Sequence, residues 1–466
     1  MIKIGVSKKI VGHLLLLIPL LAGLASSAFA QNRSGVDPSR IDSVFAKWDK
    51  PNSPGCELGV VSRGELIYQK GYGLARLDYD IPIADETVFY VGSVSKQFTA
   101  ASIAILAARG EISLEDNIRE YIPEIPEYEK KVTIRNLVHH TSGVRDIYGL
   151  MSLTGKSTED IFTYEDALQL MTSSQRLNFE PGKKFLYSNG GYFLLSVIVE
   201  RVSGKPLSTF AKENIFEPLG MENTHFHDDR THQIENMAMS YQSDEVGGFE
   251  LSYLPNFEQV GQGGLYTTIE DMYQWDQNFY KNSLEAPDFL EKMHNQGVLS
   301  KGDTLDYAFG LFVDHYKGLN TVGHGGSYMG YKANYLRFPK ENFSVITLCN
   351  IGSVNPGALS KQVADIYLEE KTNKYLKSMT GSYINKGLDV VYDITFRDGA
   401  LYLQSNGRLN APRGRLTYTG DNTFQLGEGA GSMKVKFAGK EVEESSKSFK
   451  IGLGRVQKVL FVKRSK

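Results

Sequence analysis

Apolar and polar positions alternate with a period of two from Leu58 to Gly73 (LGVVSRGELIYQKGYG), around a Gly turn, which predicts an antiparallel hairpin. From Val94 the period changes. Val94, Phe98, Ala101, Ile105 and Ala108 recur at steps of four and three, so a helix with one buried face is predicted, with Ser93 at its N-terminus. Between Ile118 and about Glu250 helical spacing dominates, in TIRNLVHH, YEDALQLM, GYFLLSVIVERVSG and PLSTFAKENIF. A further helix is announced by a capping box, Thr267-x-x-Glu270. YKANYLRFP and NFSVITLCN then return to β-branched and aromatic runs. Strands at both ends of a helical middle imply one sheet assembled from distant segments and packed by helices.

Around Lys371 to Lys374 (KTNK) the chain turns polar, which reads as a linker. VVYDITF, Asp398-Gly399 and ALYLQ then form a hairpin pattern, and FQL, MKVKF and VLFVK add short strands between Gly- and Asn-rich turns. The predicted fold class is α+β: an antiparallel sheet flanked by helices with an all-helical subdomain, followed by a small all-β domain, a barrel or sandwich. The predicted boundaries are 1–30, 31–373 and 374–466.

The first segment has Lys3, Lys8 and Lys9, then LLLLIPLLAGL, then Ala28-Phe29-Ala30, the order of a secretory signal. A membrane anchor is the alternative, but the apolar run is short of the ~20 residues a span needs. The mature protein is therefore expected to begin near Gln31 and to work in the periplasm or outside the cell. With 51 Lys and Arg against 54 Asp and Glu, a formal charge of -3, no overall basic field exists to attract nucleic acid. The two cysteines, Cys56 and Cys349, give neither a disulfide framework nor clustered metal-ligand spacing. Two buried small apolar side chains are the favoured reading, a disulfide the other.

Ser93-x-x-Lys96 places a hydroxyl and an amine on one face of the predicted helix start. A serine needs an adjacent base before it becomes a nucleophile, and a buried lysine can serve because desolvation lowers its pKa. Alone, the pair occurs by chance. Tyr187-Ser188-Asn189 ahead of an apolar helix, and Gly323-His324-Gly325-Gly326-Ser327 ahead of a strand, change its meaning. His139 and His140, in HHTSG, are expected to be structural residues at a helix end. Val91 occupies the first glycine's place in a Gly-x-Ser-x-Gly elbow, which disfavours an α/β-hydrolase.

In the order S-x-x-K, Y-x-N, H-x-G, supported by GYGLARLDYDIPI, NLVHHTSGV and GQGGLYTTIEDM, the region from Pro54 to Gly352 resembles the serine β-lactamase and penicillin-binding-protein superfamily, in its class C β-lactamase-like branch of peptidases and esterases. The last domain resembles the lipocalin-like domain that follows some of these peptidases. The resemblance implies Ser93 as the acylated nucleophile, with Lys96 and Tyr187 sharing proton transfer and either a candidate base. Asn189 would hold Lys96 or a substrate amide. The backbone N–H groups of Ser93 and Ser327 would form the oxyanion hole, with Gly325 and Gly326 letting substrate approach the strand. His324 stands where penicillin-recognising relatives usually carry Lys, so carboxylate recognition is expected to be weaker. That favours a peptidase or esterase over an efficient β-lactamase, and the intact set of Ser93, Lys96 and Tyr187 argues against a slowly acylated binding sensor. The substrate is expected to be a small molecule or short peptide, with no cofactor and no metal; the oligomeric state is left open.

Overall fold

Two residues with left-handed backbone, Arg63 (φ 53°) and Gly64 (φ 79°), join strands β1 (Cys56–Ser62) and β2 (Glu65–Tyr72). A two-residue turn of that type matches the twist of an antiparallel pair, and here it pairs Ser62 with Glu65. The computed structural model describes residues 35–157, 160–252, 256–284, 286, 288–406, 411–438 and 446–464. The expected signal segment lies outside the described residues.

The chain returns to this hairpin far downstream. Strands β3 (Phe312–Tyr316), β4 (Leu319–Tyr328), β5 (Tyr331–Phe338) and β6 (Phe343–Cys349) form a meander, and β6 pairs antiparallel with β1, giving the order β3-β4-β5-β6-β1-β2. Strands β1 and β6 are buried almost throughout, so both their faces are covered. Helices α1 (Pro38–Phe45) and α5 (Pro356–Tyr367) share one core with Leu58, Val60, Val345 and Cys349. The other core joins Val61, Ile346 and Leu348 to α2 (Lys96–Ala108), α3 (Asn189–Ser203) and α4 (Ile269–Lys281). The cap of α4 is Thr268, whose hydroxyl accepts from Asp271 N at 3.2 Å, one residue later than the capping box predicted. Thr267 is spent as the last residue of strand Leu265–Thr267.

Cys56 and Cys349 form a disulfide, which corrects the favoured reading of two free apolar side chains. They are register partners across β1 and β6, a relation that exists only once segments 293 residues apart have paired.

The predicted linker is helical. Lys371–Lys374 lies within α6 (Glu369–Ser378), whose lysines face solvent while Tyr375 and Leu376 enter the core of the following domain. An exposed helix face reads as a polar stretch. Eight antiparallel strands from Gly381 to Lys463 then close into a barrel. Its interior is filled by Tyr383, Phe424, Phe437, Phe449 and Phe461, and Tyr383 donates to Met379 O at 2.8 Å. The barrel touches the six-stranded sheet at β3, where the Tyr418 and Tyr316 rings meet edge-on at 5.5 Å. The whole is α+β, as the periodicity predicts. Among the described residues no helix is long and apolar enough to cross a membrane.

Replacing both Cys56 and Cys349 by alanine is expected to lower stability by about 2–4 kcal/mol, since the bond closes a very long loop. A thermal midpoint equal to that of the unaltered chain would show that strand pairing alone fixes these segments.

Candidate active site

Ser93 lies in a 3₁₀ turn, Gly92–Ser95, that runs directly into α2. This turn meets β4 at a distance only glycine permits. A Cβ on Gly326 would fall 1.9 Å from Val91 O and 3.2 Å from Ser93 N, and one on Gly92 (φ 53°) would fall 2.7 Å from Ser327 N. The amide nitrogens of Ser93 and Ser327 therefore lie at one backbone contact.

Lys96 begins α2 and is fully buried. Its Nζ lies 3.1 Å from Ser93 Oγ, 2.9 Å from Asn189 Oδ1 and 2.6 Å from Gln262 O. Carbonyl oxygens can only accept, so the Asn189 and Gln262 oxygens take two N–H bonds, and a neutral amine is left with its lone pair toward the Ser93 hydroxyl. Burial favours that neutral form, pushing the Lys96 pKa well below the ordinary lysine value, with the Asp146 charge acting more weakly in the opposite direction.

Asn189 cannot turn over. Its Nδ2 donates to Asp146 Oδ2 at 2.9 Å, its backbone N donates to the same oxygen at 2.8 Å, and a carboxylate offers no donor that would suit the flipped amide. Asp146 also caps helix Ile147–Leu153. It escaped the motif reading, although an Asp before an apolar helical run is a cap signal. Gln262, likewise missed, is steadied by its Nε2, which donates to Tyr148 Oη at 3.0 Å.

The ring of Tyr187 sits 4.8 Å from Lys96 Nζ, and its buried hydroxyl faces the Ser93 side chain. Burial raises its pKa, so the resting group is a phenol. Behind it packs His140, tilted by 37° with 4.2 Å between centroids, whose Nδ1 accepts from Ser188 N at 3.1 Å. His139 ends helix Ile134–Val138, with burial lowering its pKa to about 4.

His324 is buried on β4. Its Nδ1 lies 2.6 Å from Gly325 O, which must accept, so Nδ1 carries the proton and Nε2 accepts from Tyr307 Oη at 3.3 Å. Burial first, then the neighbouring Lys96, lowers its pKa to about 3, leaving a neutral ring. Ser93, Tyr187, His324, Gly325, Gly326 and Ser327 all line one open cleft of about 630 Å³. Lys96 and Asn189 lie beneath it. Among the described residues no group of three or more His, Cys, Asp or Glu is placed to hold a metal.

The profile of the family described as Beta-lactamase matches residues 41–367, well over half of the chain. The chain belongs to the Beta-lactamase family. It is a serine hydrolase of the β-lactamase and penicillin-binding-protein superfamily. It is 29% identical over 300 residues to penicillin-binding protein 4* of Bacillus subtilis (strain 168), covering 62% of this chain and 66% of that protein. It is 28% identical over 298 residues to a D-aminopeptidase of Brucella anthropi, covering 64% of this chain and 56% of the relative. The chain thus spans under two thirds of the length of these relatives. Among solved structures, an octameric penicillin-binding protein homologue from Pyrococcus abyssi matches 91% of this chain and 100% of its own, with a TM-score of 0.63 at 22% identity. D-amino acid amidase from Ochrobactrum anthropi SV3 matches 72% of this chain and 100% of its own, with a TM-score of 0.61 at 19% identity. At such identities the likeness is one of fold.

Asp146→Ala is expected to slow turnover roughly 10- to 100-fold, the worth of one charge-assisted hydrogen bond of about 1.5–3 kcal/mol. Because Asp146 raises the Lys96 pKa, its loss should also move the acid limb of the pH–rate profile to lower pH. A slower variant with an unmoved limb would mean that Asp146 acts only as a helix cap.

Proposed function

We propose that the chain is an exported amidase or peptidase, with esterase activity on small activated esters, working through an acyl-enzyme on Ser93. The observation that carries this reading is the placement of a buried lysine amine 3.1 Å from Ser93 Oγ, with both its N–H bonds committed elsewhere. As Ser93 Oγ bonds to the substrate carbonyl carbon, its proton passes to Lys96 Nζ, and the carbonyl electrons move to an oxygen held by the N–H groups of Ser93 and Ser327. Tyr187, a protonated phenol beside Ser93, donates to the departing amine or alkoxide and is restored from Lys96. Water then attacks the acyl-enzyme along the same route and returns the proton to Ser93.

The relatives support amide substrates, since one is a D-aminopeptidase and a structural neighbour a D-amino acid amidase. Export is supported by the N-terminal pattern and by a disulfide, which an oxidising compartment preserves. His324 fits a positioning role, its neutral ring packing at 6.0 Å from that of Tyr187.

The test is a panel of p-nitrophenyl esters, D-amino acid p-nitroanilides and nitrocefin, run with the mature chain and with Ser93→Ala. Turnover of an ester or anilide that Ser93→Ala abolishes is the expected result, together with a fluorophosphonate adduct on Ser93 by mass spectrometry. Equal rates in both proteins would sink the reading, and turnover of nitrocefin alone would select a β-lactamase.

A further inference from the structure

The face of the sheet opposite His324 holds a charge that the mechanism does not use. In the β4–β5 register, His324 pairs with Tyr335 and Gly326 with Ala333, while Ser327 pairs with Lys332 and Gly325 with Asn334. Paired residues share a face and alternate ones oppose it, so Lys332 and Asn334 stand together on the side away from His324. Lys332 Nζ donates to Ser327 Oγ at 2.5 Å, on the residue whose backbone N–H meets the nucleophile turn.

The cleft around it is otherwise uncharged. Among the described residues lining it, Lys332 is the one ionisable cation at the surface and none is a carboxylate; Asn334, Asn355, Gly352 and Gly357 form the neighbouring wall. The described ion pairs include no partner for Lys332. Its ammonium has lost part of its hydration to burial and has gained only a hydroxyl in return. Such a group gains when an anion arrives beside it.

The edge of β4 is open where this happens. Strand β3 pairs with β4 only as far as Gly323, so among the described residues no strand pairs with Gly325 to Ser327 on that edge, where an extended substrate could lie. We propose that Lys332 binds a carboxylate carried next to the scissile amide, as in a peptide with a free C-terminus. The inference rests on the reading of Ser93 as the acylated nucleophile and deepens it. The charge missing from position 324 is supplied from the adjacent strand, and release of a C-terminal residue becomes the favoured reaction.

The test compares second-order acylation of Ser93 by benzylpenicillin and by its methyl ester, followed by mass spectrometry at fixed pH and salt. In the unaltered protein the free acid should react faster, and 0.5 M salt should narrow the difference. Lys332→Met should lower the acid-to-ester ratio about tenfold or more, and Lys332→Arg should restore most of it. An acid-to-ester ratio that is the same in all three proteins overturns the assignment. Equal loss with both reagents in Lys332→Met does so too, by showing that Lys332 only supports Ser327. Fluorophosphonate labelling of the unaltered protein separates the two levels: without an adduct on Ser93 the hydrolase reading itself has failed, and with one only the carboxylate assignment is at stake.

Discussion

A lysine amine can be enclosed in a protein without an ion pair only where its N–H bonds find acceptors and its charge can be given up. Lys96 meets both conditions, with Asn189 Oδ1 and Gln262 O as acceptors that cannot donate back. The third direction is left to Ser93 Oγ. The chemistry proposed for the cleft rests on that arrangement, because desolvation penalises the ammonium and pushes the Lys96 pKa well below the ordinary lysine value, which favours the neutral amine a base requires.

The scaffold exists to hold these acceptors still. Asn189 comes from the start of α3, Gln262 from a glycine-rich loop, and Asp146 from a helix cap, three segments that meet only through tertiary packing. The sheet adds the other half. Pairing of β6 with β1 carries β4 against the Ser93 turn, and Gly92 and Gly326 let the two backbones approach closely enough for the amides of Ser93 and Ser327 to meet, as the proposed oxyanion hole requires. A side chain at either glycine would push the amide of Ser327 away from that of Ser93.

What could be read from the sequence was whatever depends on local spacing. Ser93 and Lys96 are one helical turn apart, Tyr187 and Asn189 flank a helix cap, and His324 to Ser327 are consecutive on one strand, so their proximity within each motif was legible. Asp146, Gln262 and Lys332 were not, because each matters only through a partner more than one element away or across a strand register. The disulfide was hidden for the same reason. The Lys371–Lys374 stretch misled in the opposite sense, since a helix packing only one side shows its solvent face as a run of polar residues.

The state of Lys96 can be measured through the rate at which Ser93 reacts. The second-order rate of fluorophosphonate labelling of Ser93, followed by mass spectrometry across a pH series, should rise along a limb whose midpoint lies well below the ordinary lysine range, and Lys96→Ala should abolish that limb. A midpoint at the ordinary lysine value, about 10.4, or a limb that survives in Lys96→Ala, would contradict the claim that a neutral Lys96 activates the nucleophile.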